Sequence, residues 1–431
     1  MSLGVYISVP FCRTKCSYCN FASDVFSKTM FNRYVDRVCA DIGNAPKIAL
    51  AMGGQLDSEV DTIYLGGGTP TVLESAQLRR IFTTVREQFS VLPDAEITVE
   101  CAPGTLTPEM TDTLLRCGVN RVSLGVQSFV DGEAAAVGRL HKRAIVLEEI
   151  TRLRASGITN INIDLIAGLP HQTAESWRFS VGEMIATGAP HASVYLLEID
   201  EDSRLGSELI AGGKRYHAHF VPDEDATADF YLQACEELNS AGIAQYEISN
   251  FALAGFESCH NLKYWTRQPY FGFGVDAHSM LRTNREGHEF TLEPALSERS
   301  ESKGAAKTQA RERGFGPCGD LDAVRFAASD SLDKYLSCDL PQQNAISADA
   351  ALEETFFLGL RLTKGISLEE VAARFGFEAI NRHRPAIAEM VEHGLLEDAD
   401  HRIRLTSRGR LLSNEVFQRF LFPLEVAPMK L

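Results

Sequence analysis

The 431-residue chain contains no run of 18 apolar residues and so predicts no membrane-spanning helix. A secretory signal is also missing: MSLGVYISVPF is too short an apolar stretch, and Arg13 and Lys15 follow at once. Positive charge is scarce. The 42 Lys and Arg stand against 58 Asp and Glu, for a net charge of −16. Non-specific nucleic-acid binding rests on phosphate neutralisation by Lys and Arg, so no nucleic-acid partner is expected. An anionic membrane surface is disfavoured for the same reason. The regular cysteine spacing of a secreted disulfide scaffold is absent too. Ten cysteines are scattered along the chain apart from one tight trio, which fits a reducing cytoplasm.

What the chain does have, up to about residue 200, is alternation. Strand-like runs at 4–9, 61–67, 95–101, 121–127, 160–168 and 192–199 are separated by helical patterns such as Phe31, Tyr34, Val35, Val38 and Ile42. Apolar strands alternating with helices build βαβ units and a parallel sheet. Six units are too few for a closed eight-unit barrel. The expected fold class is therefore α/β, with an open, partial (β/α)6 barrel.

Parallel barrels place their active sites at the C-terminal ends of the strands, and that is where the motifs fall. The trio Cys12, Cys16 and Cys19 follows the first strand, and GGGTP (66–70) follows the second. Glu100 and Gln127 end the third and fourth strands, and Asp164 lies within the fifth. Three glycines let a backbone approach a ligand without interference from Cβ. A 4Fe–4S cluster has four irons, each normally taking one Cys, so C-x3-C-x2-C leaves one iron open. Cys101, Cys117 or Cys259 would be the source of a fourth thiolate, and zinc is then the alternative. The C-x2-C pairs usual for zinc are absent beyond Cys16 and Cys19.

The trio followed by GGGTP resembles the radical SAM superfamily. VYISVPFC, YLGGGTPT, ITVECAPGTLT, VSLGVQSF, VGRLHKR, NIDLIAGLP, HNLKYW and FGFGVDAHS run in order from residue 5 to about 280. Together they resemble the branch that contains oxygen-independent coproporphyrinogen III dehydrogenases and the heme chaperone HemW family. The resemblance implies a 4Fe–4S cluster on Cys12, Cys16 and Cys19, with S-adenosylmethionine chelating the open iron. It further implies that Tyr6, Gly67, Gly68, Thr69, Glu100, Gln127, Arg139 and Asp164 surround that cofactor, with backbone groups of the glycine turn at its methionine end. Arg139 would fork onto the carboxylate, or else is a surface charge beside His141 and Lys142.

Phe21 separates the two activities of the branch. The dehydrogenases resemble C-x3-C-x2-C-x-C and carry an N-terminal arm, whereas the chaperones usually have Phe in the fourth cysteine's place. Here Phe21 follows the chaperone pattern, on the cofactor side of the loop, and only eleven residues precede Cys12. The expected function is heme binding and delivery to apo-hemoproteins, with flavodoxin or ferredoxin as the reductant. The alternative is oxidative decarboxylation of coproporphyrinogen III by a SAM-derived radical. HNLKYW supplies His260 as a candidate axial ligand of heme, with Cys259 as a second and Tyr264 and Trp265 as stacking groups. The same motif would alternatively serve only to close the barrel's open edge. His141 and His278 carry similar structural alternatives.

Three regions are expected. Residues 1–285 form the radical SAM core, a partial barrel to about 200 plus the closing segment with HNLKYW. Residues 286–320 are a polar, charged insertion, expected to be flexible. Residues 321–431 hold a winged-helix-like α+β domain from about 347, with Ser347 capping its first helix and a hairpin turning at 398–401. Such domains often bind DNA, but fold is not function, and the family carries a comparable domain without DNA binding.

Overall fold

The computed structural model describes residues 2–201, 203–283, 321–337 and 341–421, so the polar insertion lies outside the described residues. Six parallel strands lie side by side in chain order: β1 (Leu3–Val9), β2 (Glu59–Gly67), β3 (Ser90–Cys101), β4 (Arg121–Gln127), β5 (Asn160–Ala167) and β6 (His191–Leu196). They are the expected open (β/α)6 barrel. Beyond β6 the sheet continues antiparallel through β8 (Asn250–Ala252) to β7 (Ala244–Gln245). Beyond β1 it continues through β9 (Tyr270–Gly274), parallel to β1, to β10 (His278–Arg282), β11 (Leu321–Ala327) and β12 (Gln342–Ser347).

The strands alternate, and the alternation divides chemistry from packing. Ile63 and Leu65, Ile97 and Val99, Val122 and Leu124, and Ile161 and Ile163 face outward into the main apolar core. Leu78, Ile81, Phe82 and Val85 of the helix Ser75–Gln88 belong to that same core. The intervening positions face inward: Tyr64, Glu100, Arg121, Ser123, Asn162, Asp164 and Ser193 all line one cavity. The barrel's interior is thus polar at the same period that makes its exterior apolar.

The C-terminal region forms a second core around Leu352, Phe356, Ile380, Ile387, Ile403 and Phe420. Its helices are Ala348–Gly359, Leu368–Phe375, Phe377–Glu392, Ser407–Leu411 and Ser413–Gln418, beside a small sheet of β13 (Ile366–Ser367), β15 (Arg402–Leu405) and β14 (Leu396–Ala399). This is the winged-helix-like arrangement expected. The Ser347 hydroxyl accepts from the Ala350 amide at 3.2 Å and caps the first helix. The hairpin turns on Asp400 and His401, both left-handed at φ 53° and 59°, as a two-residue type I′ turn requires.

Backbone pairing and ion pairs fix this domain to the barrel. Glu247 and Leu362 form an antiparallel bridge, and the Thr363 amide donates to the Tyr246 carbonyl at 3.0 Å. Elsewhere Arg267 pairs with Glu354 (2.8 Å) and Asp322 (3.1 Å), while Arg325 also holds Glu354 (2.9 Å). The domain thus packs against the barrel, and its Arg361 and Arg410 line the barrel's cavity.

Candidate functional site

A cavity of about 520 Å³ opens at the C-terminal strand ends and runs into the barrel. The loop after β1 forms its rim. Phe11 anchors that loop, fully buried and stacked on Phe31 at 4.1 Å. The Cys12 amide donates to Asp24 O and the Asp24 amide to Pro10 O, both at 3.0 Å, which closes the loop's base. Inside it, Lys15 donates to the carbonyls of Phe21 (2.9 Å) and Ser23 (2.7 Å). Cys12, Cys16 and Cys19 all border the cavity, as does Phe21, which is 63% exposed. Burial raises the Cys12 and Cys19 thiols above their ordinary range. Among the described residues no group of three His, Cys, Asp or Glu converges on a single ion. A 4Fe–4S cluster asks something different, one thiolate for each of three separate irons.

The glycine turn lies across the loop. A Cβ at Gly68 would stand 2.7 Å from Phe11 O and 2.9 Å from Val9 O, so only glycine fits there. Two of the turn's N–H groups are already used: Gly68 donates to Val9 O at 2.8 Å and Thr69 to Phe11 O at 2.7 Å. The turn therefore suits a ligand's donors, such as an ammonium group, rather than its acceptors.

Two acids face the turn from deeper in the barrel. Tyr64 donates to Glu100 at 2.8 Å, and burial pushes the Glu100 carboxyl up to about 7. Asp164 accepts from Asn162 (2.7 Å) and Ser123 (3.2 Å), and burial raises its carboxyl as well. Gln127 sits at φ 70° beside a bulge in the β4–β5 ladder, which turns its side chain toward the cavity. Arg139 donates to the Cys16 sulfur at 3.6 Å and to the Gly125 carbonyl. It is no surface charge. Its Nε and the Oε1 of Gln127 are buried without partners, which leaves one donor and one acceptor for a bound molecule.

Tyr6 and His260 stand apart from the other candidates and do not line the cavity. Tyr6 is inside the barrel, its ring 6.1 Å from Tyr64 and 6.3 Å from His260. His260 belongs to the helix Cys259–Trp265, whose Lys263 reaches Ser2 and Asp61 at the N-terminal ends of β1 and β2, while its Asn261 lines the cavity. Glu96, midway along β3, accepts the amides of Cys259 and His260 at 3.0 Å each. His260 Nδ1 meets the Thr62 hydroxyl at 2.9 Å and Nε2 meets the Tyr264 hydroxyl at 2.8 Å. Burial pushes the imidazole down to about 3. Both ring nitrogens are thus engaged within the barrel, in keeping with the structural alternative for the motif. The proposed stacking groups are also occupied: Tyr264 packs edge-on against Tyr270 at 4.6 Å, and Trp265 carries Arg361 at 4.3 Å.

The residues missed by sequence reading are Tyr64, Ser123, Asn162, Ser193 and Arg121. Their signal was the period-two polar stripe in DTIYLGG, RVSLGVQ, NINIDLIA and ASVYLLEI. Arg361 and Arg410, which reach the cavity from the C-terminal domain, carried no such signal.

Comparison with known proteins agrees with this geometry. The Radical SAM superfamily profile matches residues 6–181, and the HemN C-terminal domain profile matches 346–412. A solved structure of coproporphyrinogen III oxidase (HemN) from Escherichia coli superposes with a TM-score of 0.75. It covers 97% of this chain and 90% of its own at 21% identity, a likeness of fold. The heme chaperone HemW of Bacillus subtilis is 32% identical over 97% of this chain and 99% of its own. That of Synechocystis is 36% identical over 68% of this chain and 69% of its own. Fold, cavity and end-to-end likeness agree: the chain belongs to the heme chaperone HemW family of the radical SAM superfamily, whose members are built for a 4Fe–4S cluster and S-adenosylmethionine.

Proposed function

We propose that this protein binds heme and delivers it to apo-hemoproteins in the cytoplasm. The observation that carries the reading is the likeness to the Bacillus subtilis heme chaperone, which spans both chains almost completely. Phe21 supports it, standing where a dehydrogenase would carry a fourth cysteine. Cys12, Cys16 and Cys19 would each hold one iron of the cluster, with the Arg139 guanidinium beside the Cys16 sulfur. Carbonyls of the glycine turn would accept from the ammonium of S-adenosylmethionine. The free Nε of Arg139 would donate to its carboxylate, while Glu100 and Asp164 accept from ribose hydroxyls. The bound cluster would supply the electron that a flavodoxin or ferredoxin provides. No heme ligand is assigned to His260, whose ring is spent within the barrel.

The second reading, coproporphyrinogen III dehydrogenation, is favoured by one observation. The constellation around the cavity is intact, and a pure carrier has no need of a radical. Anaerobic incubation with reductant, S-adenosylmethionine and coproporphyrinogen III separates the two. The expected result is no protoporphyrinogen, together with transfer of hemin from the loaded protein to an apo-hemoprotein, read as growth of the acceptor's Soret band. Stoichiometric 5′-deoxyadenosine with a decarboxylated porphyrinogen would establish the dehydrogenase instead.

A further inference from the structure

The cavity is electrically two-sided. Its inner wall mixes the acids Glu100 and Asp164 with Arg121 and Arg139, whereas the lining residues of the C-terminal domain include Arg361 and Arg410 and no carboxylate. A cationic sulfonium ligand needs the first wall and gains nothing from the second.

Both arginines are held in place yet have donors to spare. Arg361 lies over the Trp265 ring at 4.3 Å, which fixes the guanidinium plane. Its nearest carboxylate, Glu247, stands at 3.9 Å, outside hydrogen-bond reach, and its Nε is buried without a partner. Arg410 donates to the Leu405 carbonyl (3.2 Å) and the Ser407 hydroxyl (3.0 Å), both neutral groups. Three other arginines near the same domain are ion-paired. Arg267, Arg325 and Arg374 meet carboxylates at 2.8–3.1 Å.

We propose that Arg361 and Arg410 form the subsite that receives the propionate carboxylates of the bound tetrapyrrole, opposite the cluster loop. The proposal rests on the tetrapyrrole reading above and deepens it. Guanidinium is the side chain matched in shape to a carboxylate, which it can grip with two parallel hydrogen bonds. The flat apolar macrocycle would then lie across the opening between barrel and C-terminal domain, with its acidic edge on that domain. Ile248 and Tyr231, which also line this side, offer apolar surface beneath it.

The test uses the full-length, cluster-reconstituted protein titrated with hemin and with hemin dimethyl ester in one non-ionic detergent. Wild type should bind hemin at least tenfold more tightly than the ester, since hydrogen bonds to a charged group are worth about 1.5–3 kcal/mol each. Arg361→Gln and Arg410→Gln should each weaken hemin about tenfold and leave the ester unchanged, so that the preference collapses. Arg410→Gln removes no ion pair and guards against a folding artefact at Arg361. Variants that keep the full preference for hemin would overturn the subsite and leave heme binding standing. Wild type that binds neither ligand would overturn both readings. Loss of the S-adenosylmethionine-dependent change in the cluster's EPR signal, with the hemin preference intact, would assign the arginines to that cofactor's carboxylate instead.

Discussion

The two ends of the barrel are built from the same strands and are opposite in character. At the C-terminal end, Arg139 and Gln127 each leave a buried polar atom unpartnered, and Gln127 adopts a left-handed backbone. At the N-terminal end, the His260 ring is closed on both nitrogens, and Lys263 meets Asp61 at 2.7 Å and the Ser2 carbonyl at 3.0 Å. Unfinished hydrogen bonding costs stability and is tolerated where a ligand completes it. HNLKYW, whose His260, Lys263 and Tyr264 are all engaged and whose Trp265 indole N–H alone is buried without a partner, reads as architecture.

The largest effect expected is at the open end. Cys12→Ala, Cys16→Ala or Cys19→Ala should abolish a cluster of about four irons per chain after anaerobic reconstitution. Cys101→Ala and Cys259→Ala should retain it, as judged by iron content and the EPR signal of the reduced protein. An iron-free, stably zinc-loaded wild type would break the comparison at its first term.

At the closed end, His260→Ala should lower stability by about 3 kcal/mol, since two hydrogen-bonded partners lose their ring. The Soret band of bound heme should keep its position. A shifted band with unchanged thermal stability would return His260 to the role of iron ligand.

Opposite pH signatures sharpen the contrast. The Glu100 carboxyl, raised from 4.5 to about 7, binds its proton more tightly in the folded chain. Its contribution is therefore lost as pH rises between those values, by up to about 3 kcal/mol. Denaturant melts of the cofactor-free protein should show that slope, and Glu100→Gln should remove it. His260, lowered from 6.5 to about 3, works the other way, and its contribution is lost as pH falls below 6.5. Melts of His260→Asn should lack that acid limb.

The smallest effect expected lies far from both ends. Ser347→Ala removes the cap of the helix Ala348–Gly359 and should cost about 1 kcal/mol in denaturant melts, with iron content unchanged.

Much of the barrel and its open end is legible in the amino-acid sequence. The six strands, the loop cysteines, the glycine turn and the acids at strand ends lie close to their own elements in the chain, so local pattern locates them. The strand of the third unit begins earlier than its apolar pattern, because Ser90 and Val91 are recruited by Glu59 and Val60 rather than by their own propensity. His260 defeats sequence reading for a similar reason. Its environment is made by Thr62 and Glu96, each more than 150 residues away. The polar strand QQNAIS shows no alternation at all and is defined by its pairing with β11.

The cavity's walls are also separated in time. Cys19 leaves the ribosome 391 residues before Arg410 does, a lag of roughly 20–80 s at ordinary elongation rates. Throughout that interval the loop and glycine turn can fold while the far wall does not yet exist. A bulky inorganic cluster would meet an open face on the nascent chain and a roofed one on the finished protein. Assembly during synthesis would then be easier than repair afterwards.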